Sequence, residues 1–164
     1  MPTAHSTSDL VAELALTAYK HWNADFGLQW DPNASRSDRT FVQVQFKPTD
    51  QNVVNVAYRY QRGVLDQAEM SRAWAFTPSW YALGRIVYAF DDNKALDRFL
   101  GFEYRSCCWR LRVLGRRFLR TSSGQEDTAV LLQLELAGLA SVGSAPDSFL
   151  GTAIRGYTRR TSTY

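Results

Sequence analysis

Strict alternation of apolar and polar residues, held for about ten residues at a time, limits this chain to strands with one oily and one wet face. In the stretch Val53 to Arg62, Val54, Val56, Tyr58 and Tyr60 face one way, and Asn55, Ala57, Arg59 and Gln61 face the other. Trp22, Ala24, Phe26, Leu28 and Trp30 stand against Asn23, Asp25, Gly27, Gln29 and Asp31. Val42, Val44 and Phe46 oppose Gln43, Gln45 and Lys47. Leu100, Phe102 and Tyr104 oppose Gly101, Glu103 and Arg105, and Trp109, Leu111 and Val113 oppose Arg110 and Arg112. Near the end, Val130, Leu132, Leu134 and Leu136 oppose Leu131, Gln133 and Glu135. With Leu10–Tyr19, Ala68–Phe76 and Trp80–Phe90 the count reaches about nine strands. Leu10, Val11, Leu14 and Ala18 would also suit a helix, so the first segment has two readings. No βαβ rhythm interrupts the series, which makes the fold all-β and the sheet an antiparallel meander.

The connections alternate in length. Lys20-His21, Pro48–Asn52, Thr77–Ser79 and Ser106–Cys108 are tight, whereas Pro32–Arg39, Gly63–Gln67, Asp91–Asp97 and Thr121–Asp127 are longer and polar. Short turns on one rim and longer loops on the other characterise transmembrane β-barrels, and strands of about ten residues cross the hydrocarbon when tilted. Aromatic residues stand at apolar strand ends, among them Trp22, Trp30, Trp74, Trp80 and Trp109, as in interfacial girdles. Arg59, Arg85, Glu103, Arg105, Arg110, Arg112 and Glu135 all fall on the polar face. Arg72 breaks the pattern by sharing parity with Met70 and Trp74, which calls for snorkelling or a register shift. From alternation alone two arrangements stay open: a barrel with lipid outside and a wet lumen, or a soluble β-sandwich or barrel binding a small apolar ligand.

No apolar run approaches the roughly 18 residues of a membrane helix. The first residues, Met-Pro-Thr-Ala-His-Ser-Thr-Ser-Asp, carry no export signal. A net charge of +3 is too small to argue for nucleic acid. Cys107 and Cys108 are the only cysteines. A bond between neighbours is strained, which favours sulfurs that reach outward to partners not in these 164 residues. His5 and His21 lack finger-like spacing to them, so no metal is expected, and no cofactor motif is present. No phosphate loop, nucleophile elbow or His-Glu-x-x-His occurs, and the reading is not an enzyme.

The string Leu100-Gly-Phe-Glu-Tyr-Arg-Ser-Cys-Cys-Trp-Arg-Leu-Arg-Val113, followed by Leu131-Leu-Gln-Leu-Glu-Leu-Ala-Gly-Leu139, resembles the C-terminal end of the LptD family, outer-membrane lipopolysaccharide-assembly proteins once called organic solvent tolerance proteins. The likeness is concentrated between Ser79 and Leu139. Weaker matches run through Leu28-Gln-Trp-Asp-Pro32 and Asn55-Val-Ala-Tyr-Arg-Tyr60, and the closing Ile154-Arg-Gly-Tyr157 is also similar.

The resemblance implies a large barrel in the bacterial outer membrane that receives lipopolysaccharide from a periplasmic bridge and inserts it into the outer leaflet. It implies an LptE-like plug lipoprotein in the lumen and contact with membrane lipid. It also implies disulfides from Cys107 and Cys108 to two cysteines of an N-terminal region missing from this chain. If the strand at Val130–Ala137 is last and runs toward the periplasm, the cysteine pair falls on a periplasmic turn. Val130, Leu132, Leu134 and Leu136 then border the lateral gate. Arg59, Arg85, Glu103, Arg105, Arg110, Arg112 and Glu135 then line the lumen as a solvated, mutually paired wall, and the Arg116-Arg117 pair lies near the outer rim. The chain divides into an extension at 1–9, barrel strands at 10–137 and a periplasmic tail at 138–164, with a short capped helix at Asp147–Ile154. On this reading the chain is a piece of something larger.

Overall fold

The computed structural model describes residues 8–120, 125–136, 140–143 and 146–158. Nine long strands follow in order: β1 (Leu10–Ala18), β2 (Trp22–Asp31), β3 (Arg36–Thr49), β4 (Asn52–Gln61), β5 (Leu65–Ala75), β6 (Trp80–Ala89), β7 (Lys94–Arg105), β8 (Trp109–Leu119) and β9 (Glu126–Leu136). A short β10 (Ala140–Gly143) and one helix, α1 (Pro146–Ala153), complete the series. Every strand pairs antiparallel with its neighbours in sequence, giving one ten-stranded sheet. The two-way reading of the first segment resolves as strand, paired from Leu10↔Trp30 to Ala18↔Trp22. No helix among the described residues is long and apolar enough to cross a membrane.

One rim, the near rim, holds the turns 19–21, 50–51, 76–79 and 106–108. The far rim departs from expectation. Pro32–Arg39, Gly63–Gln67 and Asp91–Asp97 were to be loops, yet β3 begins at Arg36, β5 at Leu65 and β7 at Lys94. Pairs such as Gln67↔Arg59, Asp66↔Tyr60 and Asp97↔Val87 continue the ladder through polar residues. Main-chain hydrogen bonding needs no apolar side chain, so the strands outrun the apolar pattern that reveals them. Residues 121–124 of the fourth long connection lie outside the described residues.

The two faces segregate as the alternation requires. Phe26, Val56, Met70, Ile86, Leu100, Phe102, Val113 and Leu132 are exposed on the outer face. A sandwich or closed soluble barrel would bury this surface. Among the described residues there is only this one sheet, and nothing covers that side. Arg72 belongs to this face without a register shift in β5, and its guanidinium lies 4.8 Å from the Trp74 ring and 5.8 Å from the Phe76 ring, toward the near rim. Snorkelling, not a bulge, accommodates it.

The inner face contains the core. Val53, Ala73, Tyr81, Leu83, Phe99 and Leu114 form an apolar island on the face read as polar, and Leu150, Ala153 and Ile154 of the C-terminal segment pack onto it. The C-terminal segment therefore folds back over the sheet. Helix α1 has only eight residues, too few to hold together alone in water, so docking of its apolar side stabilises it. Leu150 and Ile154 are fully buried, each worth roughly 1.5–3 kcal/mol.

Candidate functional site

The inner wall gathers three polar groupings around that island. All the charged residues expected on the polar face lie here, and they fall into two networks. The first crosses five strands in alternating sign: Arg59 (β4), Glu69 (β5), Arg85 (β6), Asp97 (β7) and Arg116 (β8). Its steps are Arg59–Glu69 at 3.9 Å, Arg85–Glu69 at 2.9 Å, Arg85–Asp97 at 3.3 Å and Arg116–Asp97 at 2.9 Å. Sequence reasoning missed Glu69 and Asp97, the latter because it was placed in a loop. Arg116 was read with Arg117 as a rim pair, but the two diverge. Arg116 turns inward over the rings of Phe118 (4.7 Å) and Phe149 (4.5 Å), while Arg117 meets Glu126 at 3.7 Å.

The second network sits at the near rim around Glu103, whose side chain is 1% exposed. Arg112 Nε donates to Glu103 Oε2 at 3.0 Å, and Arg110 and Arg105 approach Oε1 at 3.7 and 4.0 Å. Arg110 also meets Glu135 at 3.2 Å, and Arg112 Nη1 donates to Gln133 at 3.2 Å. The expected pairing with Glu103 and Glu135 is present, but Glu103 and Arg112 are buried where a solvated wall was expected. Desolvation of these charges is tolerable because each has several partners.

The third grouping is a row of amides at the β2–β5 side. Asn23 Nδ2 donates to Gln45 (3.4 Å), Gln45 Nε2 to Asn55 (2.9 Å) and Asn55 Nδ2 to Ser71 (3.1 Å). Gln45 and Asn55 also donate to the carbonyl of Arg155, at 3.3 and 3.0 Å. Arg155 Nη1 donates to Asp25 at 2.8 Å. Gly156 has φ +78°, the left-handed region that favours glycine, and a Cβ there would lie 2.9 Å from Gln45 Nε2. Arg112 Nη2 donates to the Tyr157 hydroxyl at 3.2 Å. The closing Ile154-Arg-Gly-Tyr157 is thus held residue by residue. The missed signal was the run of apolar residues at the wrong parity, Tyr81, Leu83, Phe99 and Leu114, which marks a covered patch.

Cys107 and Cys108 occupy the near-rim turn between β7 and β8, both exposed, with sulfurs 2.6 Å apart. Ser106 N donates to Trp109 O at 2.9 Å and closes the turn. At its foot Arg105 and Arg110 are direct cross-strand partners, a like-charge pair offset by Glu103 beneath. A hydrogen bond from Cys108, then one from Ser106, holds the Cys107 thiol below its ordinary value, and the same contact pushes Cys108 up.

The tryptophans read as a girdle all lie on the outer face. Trp22, Trp74, Trp80 and Trp109 sit toward the near rim, where Trp22–Phe46 (4.6 Å), Trp80–Tyr104 (4.9 Å) and Tyr104–Trp109 (5.2 Å) form ring contacts; Trp30 is at the far rim. Val130, Leu132, Leu134 and Leu136 face outward from β9. That strand is not the last. β10 pairs with its near-rim half, Gln133 to Leu136, because the chain turns back once more before crossing the inner wall.

The family model described as "LptD: LPS transport system D" matches residues 2–80. The "LPS-assembly protein LptD" of Nitrosomonas eutropha is 34% identical over 152 residues, covering 93% of this chain and 21% of that protein. Its counterpart in Xanthomonas oryzae pv. oryzae is 35% identical over 144 residues, 84% of this chain and 18% of that protein. That of Xylella fastidiosa is 33% identical over 155 residues, 91% and 20% respectively. The chain spans about a fifth of the length of these relatives, and it belongs to the LptD family.

Proposed function

We propose that this chain supplies the C-terminal sector of an outer-membrane barrel that inserts lipopolysaccharide into the outer leaflet, the remaining wall coming from the rest of an LptD-length protein. The observation that carries the reading is the bare apolar face, continuous across the strands and bordered by aromatic side chains at both rims. In lipid that face has a solvent, and the backbone groups between neighbouring strands are paired, which leaves the two edges of the sheet for the rest of the barrel. The inner wall, where six arginines share four carboxylates in the two networks, suits a wet lumen and a plug lipoprotein of the LptE kind. With the near rim on the periplasmic side, Cys107 and Cys108 meet the periplasm, where cysteines of the N-terminal region and the bridge would reach them. β10 covers only Gln133 to Leu136, which leaves the Glu126–Leu132 edge of β9 for a strand from elsewhere in the barrel, and the seam between them as the lateral exit.

The test has two arms. In vesicles of brominated phosphatidylcholine the tryptophans at both rims should be quenched. A monodisperse, detergent-free protein with unquenched tryptophans would overturn the membrane reading. In an LptD-length protein carrying this chain, a photocrosslinker at Leu132 should capture lipopolysaccharide and one at Leu100 should not. Equal capture at both positions would overturn the exit assignment.

A further inference from the structure

Among the described residues each strand is hydrogen-bonded only to its neighbours in sequence, so the ladder itself makes no links between distant strands. The C-terminal segment supplies them. It reaches Asp25 of β2, Gln45 of β3, Asn55 of β4 and Arg112 of β8, and rests on the island between. Its last described contact, Lys47 Nζ to Thr158 Oγ1, is at 3.5 Å. Two of these contacts are selective for residue type. Gly156 fits because a Cβ would strike Gln45 and because of its φ. Tyr157 meets Arg112 through its hydroxyl.

Arg112 is also the residue that grips Glu103, and Glu103 is the counter-charge beneath Arg105 and Arg110 at the foot of the cysteine turn. From the Tyr157 hydroxyl to the base of the turn there are only two intervening side chains, Arg112 and Glu103, each buried. We infer that residues 146–157 form a latch that positions the Cys107-Cys108 turn, with Tyr157 acting through Arg112 and Glu103. In this scheme Tyr157 is a positioning residue. It orients the guanidinium that fixes the carboxylate, and the carboxylate holds two like charges together so that the strands stay paired up to Ser106. The latch rests on inner-wall contacts and stands whatever the outer face meets.

The experiment uses the full chain in detergent micelles and follows alkylation of both thiols by a maleimide, with protease cleavage of the tail measured in parallel. Tyr157→Phe removes only the hydroxyl, so the helix should stay docked and the tail protected. The turn should then fray, and alkylation should accelerate about fivefold or more, the lower range for coupling between two sites. Gly156→Ala should release the tail to protease and accelerate alkylation at least as much. Tyr157→Phe alkylated at the parental rate would overturn the link through Arg112, and so would a released tail in Gly156→Ala with unchanged thiol reactivity. Loss of the sheet's circular dichroism in either variant would also overturn it, since a latch is added to a formed wall.

Discussion

Leu132 and Gln133 are neighbours in β9, yet Leu132 is 54% exposed on the outer face while Gln133 is buried against Arg112 on the inner one. The same contrast repeats from β4 to β8, whereas β1 is exposed on both faces. On the outer face the side chains share a property, and their identities matter little: leucine, valine, phenylalanine and methionine replace one another from strand to strand. On the inner face identity decides. Glu103, Asn55, Gln45 and Arg112 each meet named atoms at hydrogen-bond distance, and a conservative replacement would break a specific contact. A surface whose partner is a featureless solvent needs only composition, whereas one whose partner is a folded segment needs geometry.

The contrast can be broken most severely from inside. Glu103→Leu takes from Arg105, Arg110 and Arg112 the carboxylate that all three approach. Removing one partner of a buried pair costs about 3–5 kcal/mol, which guanidinium unfolding of the vesicle-inserted protein would read. Val113→Arg, at mid-strand on the outer face, should cost roughly 2–4 kcal/mol in the same assay if that face meets lipid. An effect near zero would show that Val113 faces water. The smallest change sharpens the comparison. Arg72→Leu removes a cation resting on the Trp74 and Phe76 rings, and should alter stability by less than about 1 kcal/mol. A loss of several kcal/mol would mean that this outer residue has a specific partner after all.

The same contrast explains what could be read in advance. Period-two alternation located the nine long strands and the odd parity of Arg72, because both depend on one-dimensional spacing. The far-rim extensions at Arg36, Leu65 and Lys94 were hidden because polar residues there pair only through their backbones. Asp97 was lost with them, and with it the middle of the five-strand charge ladder. The helix was legible nearly to the residue, Pro146–Ala153 against an expected Asp147–Ile154. Its resting place was not, because the island joins residues from five strands that are adjacent only after folding. The cysteine turn was found by sequence, but the charges under it come into register only when Arg105 and Arg110 pair.

Because spatial order in the sheet equals sequence order, mechanical force has one route into the wall from its C-terminal end. A pull there works first against the latch, which ties β2 to β8 among the described residues. Once it yields, the strands come away in succession from β10 downward, each rupture freeing little more than one hairpin's length of chain. The resistance to extraction is therefore concentrated in the dozen residues 146–157, and the wall behind them tears like a seam whose knot has been cut.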